Sequence, residues 1–328
     1  MTLLLLAASF ALIVAGATLF TNAVEWLGRR LNLAEGPVGS LLAAVGTALP
    51  ESTIPVIAVL AGTEGEEVAI GAIIGAPFML ATVAMLLIAA SALLYKDRRS
   101  SGTEVTADKR TVRRDFGFFA PSFATAIVLG QIDSKPVHIV GAALLVGVYV
   151  LYVRRTLQAG GDADEEEELK PLYFDTSKQD PPNTFQIVAQ AVVALALIIG
   201  GAELFVTEIT KIAEDIGVSA LVLSLIIAPL ATELPEKINS VIWMRRDKDQ
   251  LAVGNVTGAM AFQGTIPVAL GLVVTEWQLD RFATAAGCLA LGGAGLAYWR
   301  LEKGTMNVPA AVGWAVLFLS LIVFVIVG

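Results

Sequence analysis

Long apolar stretches separated by short polar ones run along the whole chain of 328 residues. About 20 residues of α-helix cross the hydrocarbon core of a bilayer, and most of the apolar stretches reach that length. The pattern predicts ten membrane-spanning helices, with boundaries uncertain by about two to four residues. These helices are expected near residues 3–27, 36–61, 68–94, 116–132, 136–153, 184–210, 217–243, 250–275, 280–299 and 307–327.

Composition and charge agree with a membrane protein. The chain is 56% hydrophobic and 16% charged, whereas soluble domains are about 45–50% apolar and about 25% charged. If the N-terminus faces outward, 18 of the 22 lysine and arginine residues lie in cytoplasmic loops and only three lie in the opposite loops. This bias follows the positive-inside rule. It predicts a multi-pass protein of the plasma (inner) membrane with both termini on the non-cytoplasmic side.

The two halves of the chain repeat each other. Residues 16–51 align without a gap to residues 201–236, and "GAIIG" at 71–75 aligns with "GNVTG" at 254–258. Each half contains five predicted spans, an odd number, so the second copy must be inverted, as in many secondary transporters. We therefore predict an all-α membrane protein of ten transmembrane helices in two inverted five-helix repeats. The predicted domains are the first repeat (1–155), an acidic cytoplasmic linker (156–183) and the second repeat (184–328).

A T-x-L-P-E block occurs in both copies, inside a predicted span. A carboxylate at mid-membrane costs roughly 2.5–3.5 kcal/mol on insertion scales, and a proline leaves carbonyl groups of the preceding turn without helical partners. Such groups are tolerated at membrane depth only inside protein or around a hydrated cavity. Carboxylate and carbonyl oxygens are the ligands that hard cations such as Ca²⁺ prefer. We therefore predict a cation site near the midplane with Glu51 and Glu236 as principal ligands.

Each glutamate is preceded by a threonine four residues earlier, on the same helical face. Thr47 and Thr232 are therefore predicted to add hydroxyl or carbonyl oxygens to the site.

The blocks "GTALPE" at 46–51 and "ATELPE" at 231–236 resemble those of the calcium/cation antiporter superfamily, nearest to the sodium/calcium exchanger branch. That family carries G-T-S-L-P-E, then G-N-x-x-G-S-N-x-x-[N/D], in each of two inverted five-helix repeats. The resemblance covers the whole chain and implies cation exchange by alternating access. It also implies ion-ligand roles for four residues: Thr47, Glu51, Thr232 and Glu236.

This sequence departs from the family pattern at several positions. Ala48 and Glu233 replace the serine of the two blocks, and the second "G-N" block keeps Asn255 but has Gln263 at its last position. By the resemblance, Asn255 and Gln263 are weaker candidate ligands, and Glu233 is a further one. Lys237 follows Glu233 by four residues, a spacing that permits an ion pair.

Two interpretations of Lys237 follow. In the first, Lys237 compensates Glu233, sodium coupling is weak, and protons become the counter-ion. In the second, all three glutamates bind the substrate, and Lys237 extends toward the membrane surface.

The sequence therefore predicts a secondary active antiporter that exchanges calcium for sodium or protons. The alternatives are a sodium/proton or other cation/proton exchanger without calcium transport, and a non-transporting membrane sensor. An enzyme is not expected, because the single histidine cannot supply the metal-binding pair of a zinc protease. The expected partners are inorganic cations and the lipid bilayer, with no nucleic acid and no cofactor beyond the transported ions; the sequence leaves the oligomeric state open.

Overall fold

The computed structural model of the chain describes residues 2–30, 49–60, 63–159, 170–175 and 182–327, and nearly all of them are helical. The first half contains α1 (Thr2–Arg30), α2 (Leu49–Leu60), α3 (Thr63–Met79), α4 (Met85–Leu94), α5 (Lys109–Leu129) and α6 (Lys135–Ala159). The second half contains α7 (Thr184–Ile216), α8 (Ala220–Thr232), α9 (Leu234–Arg245), α10 (Asp249–Gln263), α11 (Ile266–Val274), α12 (Arg281–Lys303) and α13 (Val308–Val327). A π-helical turn, Leu80–Ala84, joins α3 to α4.

Seven described segments are long and apolar enough to cross a membrane. They are Thr2–Leu27, Gly65–Leu94, Lys135–Gln158, Thr184–Ile216, Asp249–Val274, Arg281–Lys303 and Val308–Val327. On α6 and α13, the exposed side chains include a row of valines and leucines that would be unfavourable in water. The chain is therefore an all-α, multi-pass membrane protein.

Three predicted spans are not among these seven segments, for separate reasons. The span predicted at 36–61 overlaps α2, and residues 36–48 lie outside the described part. The span predicted at 116–132 overlaps α5, whose first seven residues include five charged ones. The span predicted at 217–243 is divided into α8 and α9, of which Ala220–Leu230 is a short apolar helix.

Side-chain caps, rather than hydropathy, fix where several helices begin. Asp108 accepts hydrogen bonds from the backbone N–H groups of Arg110 and Thr111, so α5 begins seven residues before the predicted start at 116. Asn183 and Asp280 cap α7 and α12 in the same way, and these helices begin at or next to their predicted starts. A hydrophobicity pattern does not detect a charged first turn, which explains the error at α5.

The equivalent helices α1 and α7 cross in opposite directions through a close glycine contact. A Cβ atom at Gly16 would lie 2.8 Å from Ile198 Cγ1, and one at Gly201 would lie 2.8 Å from Ile13 Cγ1. Gly16 aligns with Gly201 and Ile13 with Ile198 at the repeat offset of 185, so the two contacts are reciprocal. Toward one end of the crossing, the rings of Phe10 and Phe205 are 5.6 Å apart.

The third predicted span of each half, at 68–94 and 250–275, is irregular at the same position. In the first half, Thr82 Oγ1 donates to the carbonyl of Phe78 (2.6 Å) within the π-helical turn. In the second half, the equivalent Thr265 donates to the equivalent carbonyl, that of Ala261 (2.8 Å), in the interruption between α10 and α11. The two copies therefore share both a threonine and a local backbone irregularity at this position.

Part of the predicted linker packs against the helices. The carbonyl of Lys170 accepts hydrogen bonds from Asn22 Nδ2 and Trp26 Nε1, both at 3.0 Å. Leu172 is buried beside Trp26 and Ile187. The acidic run at 162–168 lies outside the described residues.

A buried arginine joins two connections between helices. Arg99, which follows α4, donates to Asp249 Oδ2 and to the carbonyl of Met244, both at 2.7 Å, and its side chain is fully buried. Next to it, the backbone N–H of Ser100 donates to Asp247 and lowers the pKa of that carboxyl. The connection after α4 is thereby attached to the one between α9 and α10.

The close contact of α1 with α7 predicts that alanine lowers stability at a glycine inside the contact but not at a glycine outside it. In Gly16→Ala, the new Cβ would meet Ile198 Cγ1 at 2.8 Å and the Ala194 carbonyl at 2.9 Å. Forced overpacking of this kind costs about 1–3 kcal/mol. We expect the free energy of unfolding in detergent to fall by that amount.

The matched control is Gly200→Ala, because nothing lies within 4 Å of a Cβ atom at Gly200. Equal destabilisation by the two substitutions would contradict the packing described for α1 and α7.

Candidate functional site

The second T-x-L-P-E block lies where α8 ends and α9 begins. Glu233 is the junction residue, and Pro235 is in the first turn of α9, where a proline is well tolerated. Backbone hydrogen bonding continues across the junction: Glu233 N donates to Pro229 O (3.2 Å), and Lys237 N donates to Glu233 O (3.1 Å). The sequence predicted that the proline leaves the carbonyl groups of the preceding turn without helical partners. For the Glu233 carbonyl, which accepts from Lys237 N, this prediction is wrong.

A buried ion pair occupies this junction. The Lys237 ammonium donates to Glu233 Oε2 at 2.7 Å, and 4% of the lysine side chain and none of the glutamate side chain are exposed. The ammonium also donates to the carbonyl of Pro229 at 3.2 Å. The spacing of four residues therefore produces the ion pair that the sequence permitted.

Gln263, at the end of α10, is the third member of the cluster. Its Nε2 donates to Glu233 Oε1 at 3.0 Å, so both carboxylate oxygens accept a hydrogen bond. The Gln263 Oε1 atom is buried and has no hydrogen-bond partner among the described residues. The contact joins α10 to the α8–α9 junction, and we call Glu233, Lys237, Gln263 and the Pro229 carbonyl the lysine cluster.

The other described candidates have different positions. Thr232 is buried, and its hydroxyl donates to the carbonyl of Ala228 (3.2 Å). The hydroxyl oxygen therefore has its lone pairs, but not its proton, for any further contact. Asn255 precedes Gln263 by eight residues, which is about 12 Å along a helix, and its Nδ2 contacts Ser240 Oγ of α9 at 3.5 Å. The structure therefore brings Gln263, but not Asn255, to the Glu233 carboxylate.

The principal predicted ligands cannot be compared with the structure in the same detail. Thr47 lies outside the described residues, and so do the side chains of Glu51 and Glu236. The backbone places Glu51 in the first turn of α2 and Glu236 in the first turn of α9. Within the described part of the chain, no three histidine, cysteine or acidic side chains are grouped to hold a metal ion. Direct ligation by these residues stays a prediction.

A second buried carboxylate near α10 was missed by the sequence analysis. Asp115, only 1% exposed, accepts hydrogen bonds from Thr257 Oγ1 (2.7 Å) and Tyr152 Oη (3.2 Å) and pairs with Arg114 (3.0 Å). Thr257 belongs to the "GNVTG" block, so this cluster holds the helix that carries Gln263 at a second point. In the sequence, Asp115 stands just before the predicted span at 116–132, and this position by itself indicates a loop rather than a buried carboxylate.

Comparison with known proteins identifies the family of this chain. The family model described as sodium/calcium exchanger protein matches residues 1–157 and 187–327, which is most of the chain. This chain belongs to that family. It is 27% identical over 278 residues to CaxA of Alkalimonas amylolytica, covering 84% of this chain and 81% of that protein. It is 25% identical over 284 residues to the inner membrane protein YrbG of Escherichia coli, covering 85% and 82%.

Solved structures agree on the fold. The crystal structure of the H⁺/Ca²⁺ exchanger CAX matches with a TM-score of 0.77 at 21% identity, over 100% of this chain and 82% of that one. The sodium-calcium exchanger NCX_Mj matches with a TM-score of 0.61 at 19% identity, over 98% and 99%. Members of this family are secondary transporters, so the chain is a cation transporter rather than an enzyme, as the sequence predicted.

The lysine cluster predicts strong coupling between its two charges. Glu233→Gln leaves the Lys237 ammonium buried without a carboxylate, and breaking a buried pair from one side costs about 3–5 kcal/mol. We expect a loss of that size in the free energy of unfolding in detergent. The double variant Glu233→Gln/Lys237→Met removes both charges and should regain most of it.

Glu214→Gln, on an exposed position of α7, serves as the control and should change stability by less than about 0.5 kcal/mol. Additive losses in the double variant would show that the two charges do not stabilise each other.

Proposed function

We propose that the protein is a secondary active antiporter that exchanges calcium for protons or sodium by alternating access. One observation carries the proposal: the third carboxylate of the two blocks, Glu233, is neutralised by Lys237. The charge that the two blocks leave for a transported ion is then that of Glu51 and Glu236. Two carboxylates balance one divalent cation, and oxygen ligands suit calcium. Thr47 and Thr232 would complete the ligand set.

The comparisons support calcium as the substrate. Both solved exchangers described above are named for calcium: CAX as an H⁺/Ca²⁺ exchanger and NCX_Mj as a sodium-calcium exchanger. The fold resembles CAX more closely, with a TM-score of 0.77 against 0.61. Lys237 also supplies a permanent positive charge beside Glu233, which reduces the need for a sodium ion there. We therefore favour protons over sodium as the counter-ion.

Several contacts support ten spans in two inverted repeats. The reciprocal contacts of Gly16 and Gly201 relate α1 to α7, which run antiparallel as inversion requires. The shared irregularities at Thr82 and Thr265 relate the third predicted spans of the two copies. The family matches at 1–157 and 187–327 correspond to the proposed halves on either side of a linker at 156–183. YrbG is named an inner membrane protein, in agreement with the proposed location.

Transport into proteoliposomes tests the function and its coupling. We expect calcium uptake to be driven by a pH gradient and to be indifferent to a sodium gradient. Strict dependence on sodium would contradict proton coupling. Sodium/proton exchange without calcium flux would replace calcium as the substrate, and no flux of either kind would indicate a sensor.

The ligand assignment has its own variants. Glu51→Gln and Glu236→Gln should each reduce calcium uptake by at least about tenfold, because each removes one of the two charges that balance the ion. Glu214→Gln is the control and should transport normally. Unchanged uptake in both site variants would contradict a carboxylate site at these positions.

The proposed orientation predicts which loops face the cytoplasm. With Cys288→Ser as background, a cysteine is introduced at either Ser100 or Gln278, both exposed and located between different helices. In intact cells, a membrane-impermeant thiol reagent should label Gln278→Cys. Ser100→Cys should react only after the cells are opened. Labelling of both from outside, or the reverse pattern, would contradict the orientation.

A further inference from the structure

The Lys237 ammonium contacts two oxygen atoms of the kind that also bind monovalent cations. It contacts the Glu233 carboxylate at 2.7 Å and the Pro229 carbonyl at 3.2 Å, and the side chain is nearly fully buried. One ligand carries a full negative charge, and the other is a neutral backbone oxygen. We propose that the lysine cluster is a monovalent-cation site whose permanent occupant is the ammonium group of Lys237.

Gln263 provides an independent observation. Its Nε2 must face Glu233, because an ionised carboxylate can only accept hydrogen bonds. Its Oε1 is thereby left buried and without a partner among the described residues, although buried acceptors are normally satisfied. This oxygen belongs to the amide that contacts the Glu233 carboxylate, and it is a further candidate ligand for a small cation.

Charge determines which ion fits. Glu233 contributes one negative charge, and Lys237 balances it. A single sodium or potassium ion in place of the ammonium would keep the cluster neutral. A divalent ion would leave one excess positive charge in a buried place. The site is therefore specific for monovalent cations.

For transport, the consequence rests on the proposed function. The ammonium is covalently attached and cannot leave during the exchange cycle. A position that a free monovalent ion could enter is therefore closed, and the wild-type exchanger is insensitive to sodium. Shortening or neutralising the lysine would open the site and make the protein respond to sodium or potassium.

The decisive experiment measures the thermal stability of Lys237→Met in detergent without calcium. Methionine keeps an apolar chain of similar length but removes the ammonium. Sodium or potassium chloride is titrated against choline chloride at constant ionic strength, since choline is too large for the vacated position. We expect the melting midpoint of Lys237→Met to rise by up to about 2 °C for each tenfold increase in sodium or potassium.

Wild type and Glu233→Gln/Lys237→Met are the matched controls. Neither should respond to sodium or potassium, because in the first the ammonium fills the site and in the second the carboxylate is absent. A Lys237→Met variant no more sensitive to these ions than wild type would overturn the proposal. The same conclusion follows if the double variant can be purified but Lys237→Met cannot be, even in high concentrations of sodium and potassium.

This test involves no transport, so it is separate from the proposed function. If wild type exchanges no calcium but Lys237→Met is stabilised by sodium, the cation site stands and the proposed substrate is wrong. If wild type exchanges calcium and Lys237→Met does not respond to these ions, the antiporter stands and the lysine is a structural counter-ion only.

Discussion

A charge inside a membrane protein must be neutralised by the protein itself, because the hydrocarbon offers no water to do so. Lys237 neutralises Glu233 within about one turn of helix, and Gln263 donates a hydrogen bond to the same carboxylate from another helix. The same two contacts connect α8 and α9 to the end of α10. Replacing such a pair with apolar residues is often neutral or stabilising in other proteins. The cluster is therefore better explained by the way in which it positions α8, α9 and α10 relative to one another than by a gain in the free energy of unfolding.

Close packing of small residues supplies the rest of the arrangement. Lipid-exposed helices gain little from burying apolar side chains, so glycine contacts that allow backbones to approach are an important source of packing. The crossing of α1 and α7 depends on Gly16 and Gly201, and α3 approaches α8 so closely that a Cβ atom at Gly75 would lie 2.0 Å from the Leu225 carbonyl oxygen. Buried polar groups attach the ends of these helices, as Arg99 does with Asp249. Apolar packing along the helices and polar contacts at their ends thus have different roles.

The sequence predicted those features that depend on local spacing. Each of the ten predicted spans contains part of a described helix, and the spacing of Glu233 and Lys237 permitted the observed ion pair. The resemblance to the family selected Gln263, but only the fold shows that its partner is Glu233. The burial of Asp115 could not be predicted, because it depends on a helix start fixed by Asp108 and on Thr257, which is 142 residues away. Long-range polar contacts require the positions of several helices at once, and a hydropathy pattern contains no such information.

At the candidate site, the two repeats differ in three residues that contact one another in the second repeat. At the repeat offsets, Glu233 aligns with Ala48, Lys237 with Ser52 and Gln263 with Leu80. The second copy carries a carboxylate, its ammonium partner and its amide donor, and all three are connected. The first copy has no charge at any of these positions. A carboxylate at position 48 would have no lysine at position 52 and no glutamine at position 80, the positions equivalent to those of Lys237 and Gln263. Glu233, Lys237 and Gln263 therefore form one connected set in the second copy, and this set is part of the way in which the chain departs from the symmetric pattern of its family.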